Sequence, residues 1–202
     1  MGTTETSRGS AARRKLLEAA EQELRETGEL EVAAVARRAG VSVGLPYRYF
    51  GTRTGLLVAV LDAYYDRLDE AVAVRLYDEP TWAGRERHRI RDWVAFLYAE
   101  PLAAIVLGGL VGDGELAAAN TTRLNLLIEL GARNIAQAQR HGELASGRDP
   151  EFLAAATLGG TQAVVSVALA RTPRPAPQTV IDELWAVVSG AVGLLDKESS
   201  TI

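Results

Sequence analysis

The residues best suited to chemistry lie in one stretch, Val35 to Leu57, which reads VARRAGVSVGLPYRYFGTRTGLL. Tyr47 and Tyr49 offer hydroxyls, Arg48 a guanidinium, and Arg53 a second cation just past the aromatic run. These are the side chains that bond phosphate oxygens and base edges. Phe50 takes the apolar role beside them, which leaves both tyrosines for contact with a duplex. Arg37 and Arg38 stand upstream, each either a solvated helix residue or a phosphate contact. Residues 32–57 hold four arginines and no acid.

Elsewhere the chemistry is thin. There is no cysteine, so a disulfide scaffold, a thiolate nucleophile and a Cys-based zinc site are excluded. The two histidines, His88 and His141, are 53 positions apart. No HExxH, no GxSxG, no phosphate-binding glycine loop and no carboxylate pair beside a His occurs. The expectation is a protein that is not an enzyme and needs neither cofactor nor metal.

The elements that must position the basic stretch read as helices throughout; no alternating strand pattern and no internal repeat is present. Residues 1–9 are expected to form a mobile arm, with Arg8, Arg13, Arg14 and Lys15 either a charged face or a source of nonspecific affinity. From Ser10 a helix buries Leu16, Leu17, Ala20 and Leu24, and Gly28 stops it. A short helix over 32–39 ends at Gly40. Val41 packs in the turn, and Ser42 is expected to cap the next helix, with Val43 and Gly44 adding free amides at its start. Pro46 falls in that helix's first turn, where a missing amide costs little. The two short helices form a helix-turn-helix, and the second suits a major groove.

A long helix is expected over 54–77, broken by Asp78, Glu79 and Pro80. Amphipathic or apolar helices follow over 84–99, from Pro101 through the run LAAIVLGGLVG, over 115–140, from Asp149–Pro150 to about Arg171, and over 177–196. The run Phe152–Ala170 carries no charge and is long enough for a membrane span. Standing alone among amphipathic helices, it reads better as a helix buried in protein on both sides, and no membrane is expected. No apolar segment opens the chain, so a cytoplasmic location is expected.

Length and charge agree with this division. A chain of 202 residues holds one large domain or two small ones and needs no staple for its core. Net charge is −4 overall. Residues 1–57 carry nine Lys/Arg against seven Asp/Glu, and the remainder thirteen against nineteen. The cationic character is local, on an otherwise acidic body.

The N-terminal residues resemble the TetR family of bacterial transcriptional regulators. The resemblance rests on Leu17-x-Ala19-Ala20, Gly28, Val35-Ala36, Ala39-Gly40-Val41-Ser42, Tyr47-Arg48-Tyr49-Phe50 and Arg53-Thr54-Gly55-Leu56, over roughly residues 13–60. The loop after Gly28 is two residues shorter than is usual there. Glu31 stands where the family generally has a Ser or Thr cap, Leu45 where Thr is frequent, and Arg53 where Lys is usual.

The resemblance implies an all-α protein of about nine helices. A DNA-binding domain over 1–55 would be followed by an effector-binding and dimerisation domain over 56–202, with the 54–77 helix as the lever between them. The partners implied are double-stranded DNA, a second copy of the chain and an unidentified small-molecule effector, and the usual output is repression. DNA contacts would fall to Ser42, Val43, Gly44, Leu45, Tyr47, Arg48, Tyr49 and Arg53. Small residues on helices 151–170 and 178–195 allow close approach and point to a two-fold four-helix interface.

For the effector, the candidates are Trp93, Phe96, Asn120, Asn134, Gln162 and Ser166. Trp82, Trp93, Phe96 and Tyr98 are most simply core, though a ligand pocket between helices would also be apolar. Gln162 and Ser166, four apart, either bond neighbouring helices or face a cavity. The competing readings are a helical ligand-binding or interaction protein that does not read DNA, and an all-α enzyme.

Overall fold

A computed structural model describes residues 3–73, 75–108 and 114–194. The described residues are helical, with no strand among them. The chain divides into two compact units, one of residues 1–68 with 101–119, the other of 69–100 with 120–202.

The first unit is built on α1 (Thr3–Thr27), α2 (Val32–Ala39), α3 (Gly44–Phe50) and α4 (Arg53–Leu68). Leu16, Ala20 and Leu24 of α1, Val35 and Ala36 of α2, and Leu56, Val60 and Tyr64 of α4 are almost fully buried. Burying each large side chain contributes roughly 1.5–3 kcal/mol. Helix α1 begins at Thr3, not at Ser10, so the expected arm over 1–9 is helical from its third residue. Gly28 ends α1 with φ of 75°, its amide donating to the Leu24 carbonyl at 2.9 Å. Glu31 is the N-cap of α2 and makes no side-chain cap bond, as a residue too long for that geometry should.

Two sequence expectations fail here for local reasons. Ser42 does not cap α3; Val43 holds that position with helical dihedrals and no side-chain bond. The Ser42 carbonyl, not its hydroxyl, closes the turn, accepting from the Leu45 amide at 3.0 Å. The long helix does not reach residue 77. Helix α4 stops at Leu68 and passes into a wider π turn over Asp69–Ala73. Such turns interrupt a helix where a side chain or function demands it. Here the turn carries Asp69 to Arg123, which grips its carboxylate with both terminal nitrogens, one at 2.7 Å.

Helix α6 (Ala103–Leu107) begins two residues after Pro101, which lies in a turn and is not the first helical residue. Leu102 and Ala103 are buried there. The rest of the apolar run expected around it, residues 109–112, lies outside the described residues.

The second unit contains α5 (Trp82–Ala99), most of α7 (Gly114–Arg140), α8 (Pro150–Ala170) and α9 (Pro177–Val192). The Thr81 hydroxyl caps α5, accepting from the Gly84 amide at 3.1 Å. Asp149 caps α8, accepting from the amides of Glu151 at 2.8 Å and Phe152 at 3.3 Å. Gly193, left-handed at φ of 76°, ends α9 at Val192, before the expected residue 196.

Helix α8 packs closely on its neighbours through small residues. A Cβ on Gly160 would lie 3.1 Å from Val187 Cγ1, and one on Gly131 of α7 would lie 3.1 Å from Ala154 Cβ. Leu153, Ala154, Thr161, Val165, Ala168 and Leu169 form its buried side. The Thr161 hydroxyl is satisfied within the helix by the Thr157 carbonyl at 2.7 Å.

The opposite side is left uncovered by the chain's own residues. Phe152 is 77% exposed and Val167 54%, and Ala156, Gly159, Gln162, Ala163 and Ala170 are exposed with them. A Cβ on Gly159 would meet nothing within 4 Å. By length and composition this helix is apolar enough to cross a membrane, but one side of it is occupied by the rest of its unit.

Candidate nucleic-acid interface

The candidate surface is assembled by two short helices and the turn between them. Gly40 adopts φ of 67°, which a side chain would oppose. That conformation lets the Gly40 and Val41 amides close α2 onto the Arg37 and Ala36 carbonyls, at 3.2 and 3.0 Å. Helix α3 leaves this turn in a fixed direction. Buried Pro46 holds its inner side, and Leu45, Tyr49 and Phe50 are half-buried.

Its outer side is what a duplex would meet. Tyr47 is 48% exposed and Val43 53%. Ser42, Gly44 and Arg48 are exposed beside them. The Tyr49 ring lies 6.3 Å from that of Phe50, tilted by 52°. The first turns of α1 run alongside: the Arg13 guanidinium sits 5.4 Å over the Phe50 ring, and a Cβ on Gly9 would lie 3.6 Å from the Tyr49 hydroxyl. The structure thus brings Ser42, Val43, Gly44, Tyr47 and Arg48 onto one exposed segment, with Leu45 and Tyr49 at its edge.

The four arginines of the basic stretch divide. Arg37 and Arg48 are exposed, with no ion pair among the described residues. Arg53 is exposed, and its Nε donates to the Leu30 carbonyl at 2.8 Å, tying the start of α4 to the α1–α2 connection. Arg38 is fully engaged by α1. Its Nη2 lies 3.0 Å from Glu23 Oε2 and 2.6 Å from Glu26 Oε2, and its Nη1 3.3 Å from Glu26 Oε1. Hydrogen bonds from Arg38, then from Gln22, hold the Glu26 carboxyl below its ordinary pKa. Bonds to Glu26 and Glu23 raise that of Arg38. The stretch without acids in sequence is therefore partly neutralised from 12–15 residues away.

The six effector candidates are not gathered. Trp93, Phe96, Asn134 and Ser166 are half-buried, whereas Asn120 and Gln162 are exposed. Among the described residues no three His, Asp or Glu side chains converge as a metal site.

Sequence reasoning missed the polar groups of the second unit. The Tyr77 hydroxyl contacts Asp92 Oδ2 at 3.1 Å and the Val72 carbonyl at 3.3 Å. Burial, followed by Asp92, pushes its pKa to about 12. Arg89 lies 5.2 Å over the Tyr77 ring and pairs with Glu86. Burial raises the Glu86 pKa despite that arginine. Glu143 accepts from the Trp82 amide and from Arg85 Nη2, the latter at 3.2 Å, and the Trp82 bond chiefly lowers its pKa. Only the i,i+3 spacing of Glu86 and Arg89 was a signal available in the sequence.

A tight left-handed turn, an exposed second helix and a cationic flank make up a helix-turn-helix. Residues 16–60 match the family model described as bacterial regulatory proteins, tetR family. The chain is 36% identical over 80 residues to the HTH-type transcriptional regulator BetI of Escherichia coli O139:H28, a match covering 39% of this chain and 41% of BetI. It thus spans about two fifths of the length of that curated relative.

Solved structures extend the likeness in fold. NalD, the secondary repressor of the MexAB-OprM multidrug efflux pump in Pseudomonas aeruginosa, superposes with a TM-score of 0.72 at 20% identity, covering 92% of this chain and 98% of NalD. The transcriptional regulator FadR of Bacillus subtilis, solved with stearoyl-CoA, gives 0.72 at 18% identity, covering 88% and 98%. The N-terminal segment is thus similar to the helix-turn-helix of the TetR family, and 90% of the chain shares the all-helical fold of a solved TetR-family regulator from Rhodococcus sp., with a TM-score of 0.74 at 22% identity.

Proposed function

We propose that this chain is a transcriptional regulator that reads duplex DNA as a homodimer and represses until a small molecule releases it. The observation that carries the reading is the exposure of Val43, Tyr47 and Arg48 together on the second helix of a helix-turn-helix. A helix so presented enters the major groove, where Arg48 and Tyr47 meet base edges and phosphates. Arg53 and Ser42 flank it as backbone contacts, and Val43, Gly44, Leu45 and Tyr49 complete the surface. The DNA-binding domain is placed at 1–55 and the effector-binding and dimerisation domain at 56–202.

The dimer is supported by the outer side of α8, where Phe152, Ala156, Gly159, Ala163 and Val167 form an exposed, charge-free stripe. Such a stripe, with Gly190 of α9 equally open, suits two-fold packing of four helices. A symmetric dimer presents its reading helices about 34–36 Å apart, or a multiple, on a near-palindromic operator. The body is the proposed effector site, supported by its likeness to a fold that in FadR holds stearoyl-CoA. An effector acts there by favouring one dimer geometry over another. The chain is placed in the cytoplasm, without catalysis.

The test is selection of genomic fragments by the purified chain, followed by release with metabolite mixtures. Enrichment of a near-palindromic site supports the reading. Enrichment of no site at physiological salt overturns it.

A further inference from the structure

Glu23 stands in the apolar stripe of α1, one position before Leu24 and three after Ala20. At 7% exposure it is the least exposed charged residue among the described ones. A carboxylate there is costly unless a cation meets it. The cation is Arg38, fifteen residues on and in the last turn of α2. Glu26 completes the grip from the next turn of α1. One residue separates Arg38 from Gly40, whose left-handed turn aims α3. The direction of the reading helix therefore depends on where α2 ends, and Arg38 fixes that end against α1.

We propose that Arg38 is a positioning residue of DNA reading, held by Glu23 and Glu26, and is not a phosphate contact. This rests on the DNA-binding reading above. It assigns Glu23 and Glu26 a part in binding a polyanion although both carry the wrong charge to touch one. Arg38 aims α3 through the turn, while contact with the duplex is left to the unpaired cations.

Sign and salt dependence together separate positioning from contact. The full chain is titrated at 50–300 mM KCl with a labelled duplex taken from the genomic selection. Each phosphate contact contributes about 0.9 to the slope of log affinity against log salt, which Arg48→Gln calibrates. Arg38→Met and Glu23→Gln are each expected to weaken binding about five- to thirtyfold with that slope unchanged, and the double variant no further than the worse single. A merely structural pair would lower the melting temperature and leave the affinity of the folded protein intact, which overturns the proposal. Overturning it too is a slope reduced by Arg38→Met while Glu23→Gln binds as tightly as the parent, or tighter.

If Glu23→Gln does not fold, the half-exposed Glu26→Gln replaces it. Weaker binding at constant slope supports positioning, and unchanged or tighter binding ends it. Failure of the parent chain to bind any duplex removes the DNA-reading function itself, a result distinct from a parent that binds and a Glu23→Gln that tightens.

Discussion

The two units place their charged groups differently. In the first, Arg38 and Arg67 reach back to α1, meeting Glu23, Glu26 and Glu21, and so fasten α2 and α4 to one helix. Arg37 and Arg48 remain exposed. In the second, acids and bases meet around α5: Glu86 with Arg89, Asp92 with Arg75, and Glu143 with Arg85. Beyond Glu151 in its first turn, the exposed side of α8 carries no charge. The outward surfaces thus differ: exposed cations on the first unit, which suit the proposed polyanion, and an apolar stripe on the second, which suits the proposed second copy. Charged pairs elsewhere brace the helices behind those surfaces.

The largest effect is expected where that contrast is erased. Ala163→Glu with Val167→Glu puts carboxylates on the exposed stripe of α8 without touching its buried side. Burying unpaired charges costs about 3–5 kcal/mol, so dimer dissociation rises by about a hundredfold or more. Light scattering after gel filtration should show a folded monomer with unchanged helix content. A dimer that survives both substitutions removes α8 from the interface.

Next in size is the reading helix. Arg48→Ala removes an exposed cation and should weaken binding to the selected duplex about ten- to hundredfold, with the melting temperature unchanged. Tyr47→Phe loses only a hydroxyl and should cost about threefold. If both variants bind as the parent does, α3 is not the reading element.

A smaller change sharpens the division among the arginines. Arg53→Lys retains the charge but gives up the Nε bond to the Leu30 carbonyl. Affinity should fall about two- to fivefold, as for one lost hydrogen bond, with the salt slope preserved. A reduced slope would instead show that the phosphate contact proposed for Arg53 needs the guanidinium and not the charge alone.

Legibility followed the range of the interactions. Gly28, Gly40 and Asp149 were readable because each acts within five residues: left-handed turns at the glycines and a carboxylate over two following amides at the aspartate. Tyr47 and Arg48 were readable from the spacing of a helix-turn-helix. Arg38 was not, because its partners sit in another helix, 12–15 residues back, and sequence spacing carries no trace of the fold between them. The early end of α4 was hidden for the same reason, since Asp69 answers to Arg123, 54 residues away. The exposure of Gln162 was not legible, because an apolar helix gives no sign of which side its own chain will leave uncovered.

The smallest expected effect separates two kinds of acid. Glu26 and Glu143 have lowered pKa values, so the stability they confer is present above the ordinary carboxylate range and is lost as pH falls through their folded values. Glu86 has the opposite sign. Its side chain is only 18% exposed, and burial raises its pKa although Arg89 is bound to it. Its contribution is therefore most favourable below the unfolded value and declines as pH rises through the folded one. Glu86→Gln keeps an acceptor for Arg89 and removes the buried charge. At pH 7 the variant should melt about 2–4 °C above the parent, the shift that 1 kcal/mol produces in a chain of this size. That gap should close on acidification, as the parent takes up its proton above the ordinary carboxylate range. A gap that widens on acidification would place Glu86 with Glu26 and Glu143, and the contrast between a bracing pair and a tolerated buried carboxylate would not hold.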